Sequence, residues 1–215
     1  MPRSYGQLCS LALALDAIGD RWTLLIVREL LVRPDGARYT DLRDGLPGIA
    51  TNLLADRLRS LQAAGLMHRE EPRPPMATPV LRLTERGAGL RPAVEALVLW
   101  GGELVPTTPG GAEFRTRWMV IPVEAMLTDR RPDDPPVTIT VRTGDEPLLI
   151  EVDGGQVRGR TGPPDREPDA VITGPAKPVL GVLSGKLPLT AASSVGVEIT
   201  GDRAVLARVG IGTAG

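Results

Sequence analysis

A chain of 215 residues, 42% hydrophobic and 24% charged, has the composition of a folded globular protein and is long enough for two domains. Its formal charge of −1, divided as +1 over 1–105 and −2 over 106–215, excludes a globally basic nucleic-acid coat, and only 3% aromatics means that its cores are aliphatic. Cys9 is the only cysteine, which excludes an intrachain disulfide; with no signal-peptide core and no run of ~20 apolar residues, a cytoplasmic protein without membrane insertion is expected.

In chain order, "CSLALALDAIGD" predicts a short buried helix. "RWTLLIVRELLVRPDG" predicts a second, with Trp22, Leu25, Ile26, Glu29 and Leu30 at helical spacing and "RPDG" as its stop. In "RYTDLRDGL", Thr40 can cap a short helix and Asp41 suits its dipole. After the "PG" turn at 47–48, "IATNLLADRLRSLQAAGL" predicts a longer helix ended by Gly65. "LMHRE" and "PVLRLTERG" flank the stiff "EPRPPMAT" and read as a hairpin. Thr84 then caps a helix through "ERGAGLRPAVEALVLWG", where Pro92 allows a kink.

The crowded Gly, Pro and Thr of "GGELVPTTPGG" mark a linker, and the domain boundary is placed at 105/106. "AEFRTRWMVIPVEAML" predicts an amphipathic helix interrupted or ended at Pro122. After the "DRRPDDPP" loop the period changes to two. Val137, Ile139 and Val141 alternate with polar residues, as do Leu148, Ile150 and Val152 before the turn "DGG". "AVIT", "GVEIT" and "AVLARV" read as further short strands, and "AKPVLGVLSGKLPL" as a helix with a Gly stop. The fold class expected is α+β, with a mostly antiparallel sheet in the second half.

Stepping about 100° per residue along the 50–65 helix gathers Leu53, Leu54, Leu58, Leu61 and Ala64 on one arc. Thr51, Asn52, Ala55, Asp56 and Arg59 gather opposite. Such a face is either solvated or meets a partner. The order short helix, turn, longer helix, strand, stiff loop, strand is that of a winged helix-turn-helix, whose second helix enters the major groove. Asn pairs adenine edges and Arg pairs guanine, so Thr51, Asn52 and Arg59 are candidate DNA contacts, with Thr40 nearby and Arg73 at the hairpin tip. Arg57 projects inside the leucine arc. It is either a structural arginine paired with Asp41 or Asp44, or a phosphate clamp.

"CSLALALDAIGDRWTLLIVRELL", "RYTDLRDGLPGIATNLLADRLRSLQAAGLMHRE" and "LRLTERGAGLRPAVEALVLWG" resemble the HxlR family of bacterial winged-helix regulators over 1–101. The resemblance implies a homodimer on double-stranded operator DNA, built through the first and last helices of this domain. The family often has Ser after the "PGI" turn as a cap; here Ala50 stands there, which leaves Thr51 to take over. Cys9 falls where many members carry a redox-sensing cysteine, and is a redox candidate against the alternative of a small buried hydrophobe.

"LLIEVDGGQV", "PDAVITG", "LGVLSGKLP" and "VEITGD", in that order, resemble the sterol-carrier-protein fold over roughly 112–210. The resemblance implies a five-stranded sheet, helices over one face and an apolar tunnel for a hydrophobic small molecule or lipid. Trp118, Met119, Met126, Leu180 and Leu183 are the candidate lining residues, unless they are plain core. No nucleophile and base assemble, His68 has no Cys partner for a metal, and the terminal "GIGTAG" has no helix to follow, so neither catalysis nor a cofactor is expected. The sequence therefore reads as a 1–105 winged-helix domain for DNA binding and dimerisation, followed by a 106–215 sterol-carrier-like ligand domain. The rival readings are a Cys9 redox regulator, and a lipid carrier whose winged helix binds a protein.

Overall fold

The computed structural model describes residues 4–71, 78–109 and 111–212. The chain divides into two compact units, Met1–Val94 and Glu95–Gly215.

In the first unit, α1 (Ser10–Ile18) and α2 (Thr23–Leu31) are followed by α3 (Tyr39–Gly45), α4 (Thr51–Ala63), the hairpin β1 (Met67–Glu70) and β2 (Val80–Leu83), and α5 (Glu85–Ala88). Asp20 starts α2 by accepting from the backbone N–H of Trp22 and Thr23 at 2.9 and 3.1 Å. The helices bury an aliphatic core that includes Ile26, Leu30, Leu42, Leu54 and Leu61. Within that core lies the carboxylate of Glu29, which pairs with Arg28 and Arg33. Strands β1 and β2 pair antiparallel from Met67–Leu83 to Glu70–Val80, and Ala37 bridges to Leu81 on the outer side. Gly65, at φ +68°, turns the chain from α4 into β1, a conformation that favours glycine.

Four local expectations are corrected here. The helix read as buried, α1, buries only Ala12 and leaves Leu11 and Leu13 exposed. Thr40 does not cap α3, which begins one residue earlier; Asp41 instead accepts from the Arg38 N–H at 2.8 Å. Thr51 does not cap α4 but is its first residue, and Ala50 at the cap makes no side-chain bond. Thr84 does cap, accepting from Gly87 N–H at 3.1 Å, but only the short α5. A new helix, α6 (Arg91–Gly101), then begins with Pro92 as its second residue, where a missing N–H breaks no intrahelical bond and no kink is needed.

The second unit takes up the rest of α6, a 3₁₀ turn over Gly102–Thr107, a second over Thr116–Met119, and α7 (Val120–Met126). Pro122 thus lies in the first turn of a helix rather than ending one. Strands β3 (Val137–Thr143), β4 (Glu146–Asp153) and β5 (Gln156–Thr161) run as a meander. They are followed by β6 (Ala170–Thr173), α8 (Ala176–Leu183), β7 (Glu198–Gly201) and α9 (Arg203–Arg208). The sheet order is β5-β4-β3-β6-β7, with only β3 and β6 parallel, so the unit is α+β with a mostly antiparallel sheet, as expected.

The five strands are not the five expected. "AVLARV" is a helix: Asp202 accepts from Ala204 N–H at 2.8 Å, and Val205, Leu206 and Val209 bury one helical face. The fifth strand is instead "QVRGRT", β5. There α7 crosses so close that a side-chain carbon at Gly159 would lie 3.1 Å from Val123 Cγ2. A glycine at that inward position erases the apolar alternation that marks a strand.

A buried ion pair ties the far end of α9 to the loop after α7. Arg208 Nε and Nη2 donate to the Asp129 carboxylate at 2.8 and 2.9 Å, with side chains 1% and 0% exposed. The remaining lone pairs of Asp129 accept from the N–H groups of Arg131 and Gly155, at 3.0 and 3.1 Å, so the buried charge is fully hydrogen-bonded.

Candidate functional site

Two features of the structure can meet a partner, one in each unit. The first is the outer face of α4. Leu54, Leu58 and Leu61 are buried while Thr51, Asn52, Asp56 and Arg59 are exposed, so the amphipathic split follows the helical period. Tyr39 on α3 donates its hydroxyl to the Thr51 carbonyl at 2.9 Å, which pins the first turn of α4. Arg59 pairs with Asp56 one turn back. Thr40 is exposed on α3. Arg73, expected at the hairpin tip, lies outside the described residues.

Arg57 pairs with neither Asp41 nor Asp44. Its Nε lies 3.4 Å from Asp20, the residue that starts α2, with about a third of the side chain still exposed. The same carboxylate therefore holds the start of α2 and pairs with α4. The sequence signal, Asp followed by Arg-Trp-Thr, lies 37 positions from its partner and was invisible to a local reading.

The second feature is an apolar cavity of about 780 Å³ in the second unit, within the roughly 300–1,000 Å³ of small-molecule sites. Its walls are the last turn of α6, the following 3₁₀ turn, Phe114, the Thr116–Met119 turn with α7, and one side of α8. Trp118, Met119, Met126 and Leu180 line it, so four of the five expected residues converge. Leu183 does not line it. It is buried with Val179 and Val182 on the other side of α8, because residues three and four apart share a helix face. Among the described residues no strand residue lines the cavity, whereas a tunnel between sheet and helices was expected. Sequence reasoning missed Val98 and Leu99 of α6 as wall residues, and Glu103, Lys177 and Lys186 at the rim.

Cys9 is exposed at the cap position of α1, not buried. The N–H groups of Ala12 and then Leu11 favour its thiolate and draw the thiol below its ordinary value. Among the described residues no helix is long and apolar enough to cross a membrane.

The sequence profile of the HxlR-like helix-turn-helix family matches residues 17–109, which hold α2 to α6 and the hairpin. An HTH-type transcriptional regulator of Mycobacterium tuberculosis is 39% identical over 103 residues, 47% of this chain and 62% of its own length. Another, from Methanothermobacter thermautotrophicus, is 34% identical over 96 residues, 44% of this chain and 70% of its own. The solved structure of the redox regulator HypR in its reduced form is similar at 30% identity and a TM-score of 0.40, over 45% of this chain and 93% of that one. The chain thus spans just under two thirds of the first curated relative it matches. With a winged helix-turn-helix in its first unit and an α+β fold in its second, the chain belongs to the HxlR-like helix-turn-helix family.

Proposed function

We propose that this protein is a non-enzymatic, ligand-responsive transcriptional regulator of the cytoplasm, a repressor by family analogy. The observation that carries the reading is the exposed polar first turn of α4 inside a winged-helix unit. Thr51, Asn52 and Arg59 would meet base edges of operator DNA, with Thr40, Arg57 and Arg73 toward phosphates. Residues 1–105 serve DNA binding and dimerisation, and 106–215 form a sterol-carrier-like domain that, together with the end of α6 and the turn after it, takes a hydrophobic molecule in the cavity. A ligand shifts DNA binding only if it prefers one arrangement of the protein over the other. The shared element is α6, which begins in the first unit and contributes Val98 and Leu99 to the cavity wall.

The test is a gel shift with DNA upstream of the gene across a salt series. Operator binding requires an affinity that falls steeply with salt; no retained DNA at low salt removes the reading. A second reading, with Cys9 as the sensor, is favoured by its exposure and its lowered thiol pKa. Oxidant that releases DNA from the wild type but not from Cys9→Ser would carry it.

The protein should be a homodimer. Leu11 and Leu13 on α1, and Leu97 and Trp100 on α6, stay 50% or more exposed in the single chain. Each such side chain contributes on the order of 1.5–3 kcal/mol when buried against a partner. Two recognition helices would then sit roughly 34–36 Å apart on a two-fold symmetric operator. Sedimentation as a monomer at micromolar concentration would exclude this.

Cavity binding separates two substitutions on α8. Leu180→Glu places a carboxylate on the cavity wall and should abolish displacement of a fluorescent apolar probe, with the thermal transition little moved. Val182→Glu, at a position 0% exposed, buries an unpaired charge and should unfold the second unit. Equal probe binding by Leu180→Glu and wild type would show that the cavity is not the site.

A further inference from the structure

Of 25 basic side chains in this protein, only Lys177 and Lys186 are lysines, and both stand at the rim of the apolar cavity. One is the second residue of α8 and the other lies three residues past its end. Lys177 Nζ donates to the Thr108 carbonyl at 3.1 Å. Lys186 Nζ donates to the Gly102 carbonyl at 3.3 Å and to the Glu103 carboxylate at 2.9 Å. An ammonium has three donors, so each lysine can make a further bond. Among the described residues Glu103 is the only acidic one lining the cavity, which leaves two ammonium groups against one carboxylate at its mouth.

Below this mouth the walls are apolar: Phe114, Trp118, Met119, Met126, Leu180 and Leu187. A neutral hydrophobic ligand would have no use for paired cations at the rim. An amphiphile with a negative head would bury its chain and leave its head among them. Lysine also suits the task better than the arginine used elsewhere in this chain. Its charge is compact and rides on a flexible stem, so it can change partners without the fixed fork geometry of a guanidinium.

We infer that Lys177 and Lys186 form a head-group subsite and that the cavity takes a single-chain carboxylate amphiphile. The inference rests on the cavity being a ligand site, as proposed above. Lys186 already holds a carboxylate, that of Glu103, and the ligand head replaces it like for like.

The experiment is calorimetric titration of the full-length protein with dodecanoate, dodecanol and dodecylamine, each below its aggregation concentration. Dodecanoate is expected to bind about tenfold tighter than dodecanol, as for a charge-assisted hydrogen bond, and dodecylamine weakest. In the Lys177→Gln/Lys186→Gln double variant the preference disappears while dodecanol affinity is unchanged. Glu103→Gln, which removes the internal competitor, tightens dodecanoate several-fold and leaves dodecanol unmoved; a folding defect would not produce that split. Equal affinity for all three probes overturns the head-group assignment but leaves the cavity as a ligand site. A dodecanoate preference that survives in the double lysine variant also overturns it. Binding of none of the three overturns the cavity reading itself.

Discussion

Replacing Arg208 by methionine lowers the stability of the second unit by about 3–5 kcal/mol, the usual cost of leaving one member of a buried ion pair without its partner. Methionine fills much of the arginine volume, so the loss reports the stranded Asp129 charge rather than a hole. The Arg208 guanidinium is the main cause that holds the Asp129 carboxyl well below the usual carboxylate range, and the Arg131 and Gly155 N–H groups add to it against the opposing cost of burial. A carboxyl with a folded pKa below its unfolded one contributes stability that is present above the unfolded value and lost as pH falls through the folded value. The wild type therefore keeps this contribution at neutral pH and gives it up only in acid, from the ordinary carboxylate range downward. In Arg208→Met the burial cost is left without its main counterweight. Protonating Asp129 then relieves the variant, so its deficit shrinks as the pH is lowered. Denaturant unfolding at neutral and acidic pH measures both effects. A deficit that stays constant with pH would show that lost packing, not the stranded carboxylate, is responsible.

Operator affinity falls by roughly 1–3 kcal/mol for Asn52→Ala and for Arg59→Ala if each reads a base, and together they remove most of the discrimination between operator and random DNA. Both side chains are exposed, Asn52 in the first turn of α4 and Arg59 about two turns further along the same face, and neither contributes to the buried core, so the folded unit should tolerate the changes. Arg59 must leave Asp56 to reach a base, and its net effect is smaller by that exchange. Asp56→Asn removes both the competing pair and a carboxylate on the proposed DNA face, and is expected to raise affinity. Arg57→Ala differs in kind, because it also breaks the link to Asp20 and should cost stability along with affinity. Quantitative gel shifts on operator and scrambled duplexes give the ratio. Unchanged operator affinity in both Asn52→Ala and Arg59→Ala would remove this face from the DNA contact.

Local periodicity was enough to place α2, α4, β3, β4 and α8, because in each the apolar repeat spans several turns or pleats and one face is buried. The polar face of α4 was legible for the same reason. The order of elements along 17–109 carried the family. Where the repeat was short, the tertiary structure decided. "AVLARV" suits a strand or a helix, and it becomes α9 because Asp202 caps it and it packs on β3 and β6. "QVRGRT" lacks the strand pattern because the close approach of α7 requires Gly159 where an apolar side chain would otherwise point. Partners distant along the chain were equally out of reach: Arg57 finds Asp20 instead of the nearer Asp41 or Asp44, and Arg208 finds Asp129. The composition of α8 marked it as apolar, but only its packing divided Leu180, on the cavity wall, from Leu183, in the core. The two lysines could be counted in the sequence; their meeting at one rim is a property of the fold, since helix α8 and its following turn set the positions of both. Periodicity along the chain reports which face of an element is apolar, whereas which neighbour covers that face, and which charges it brings with it, depends on contacts between residues far apart in sequence.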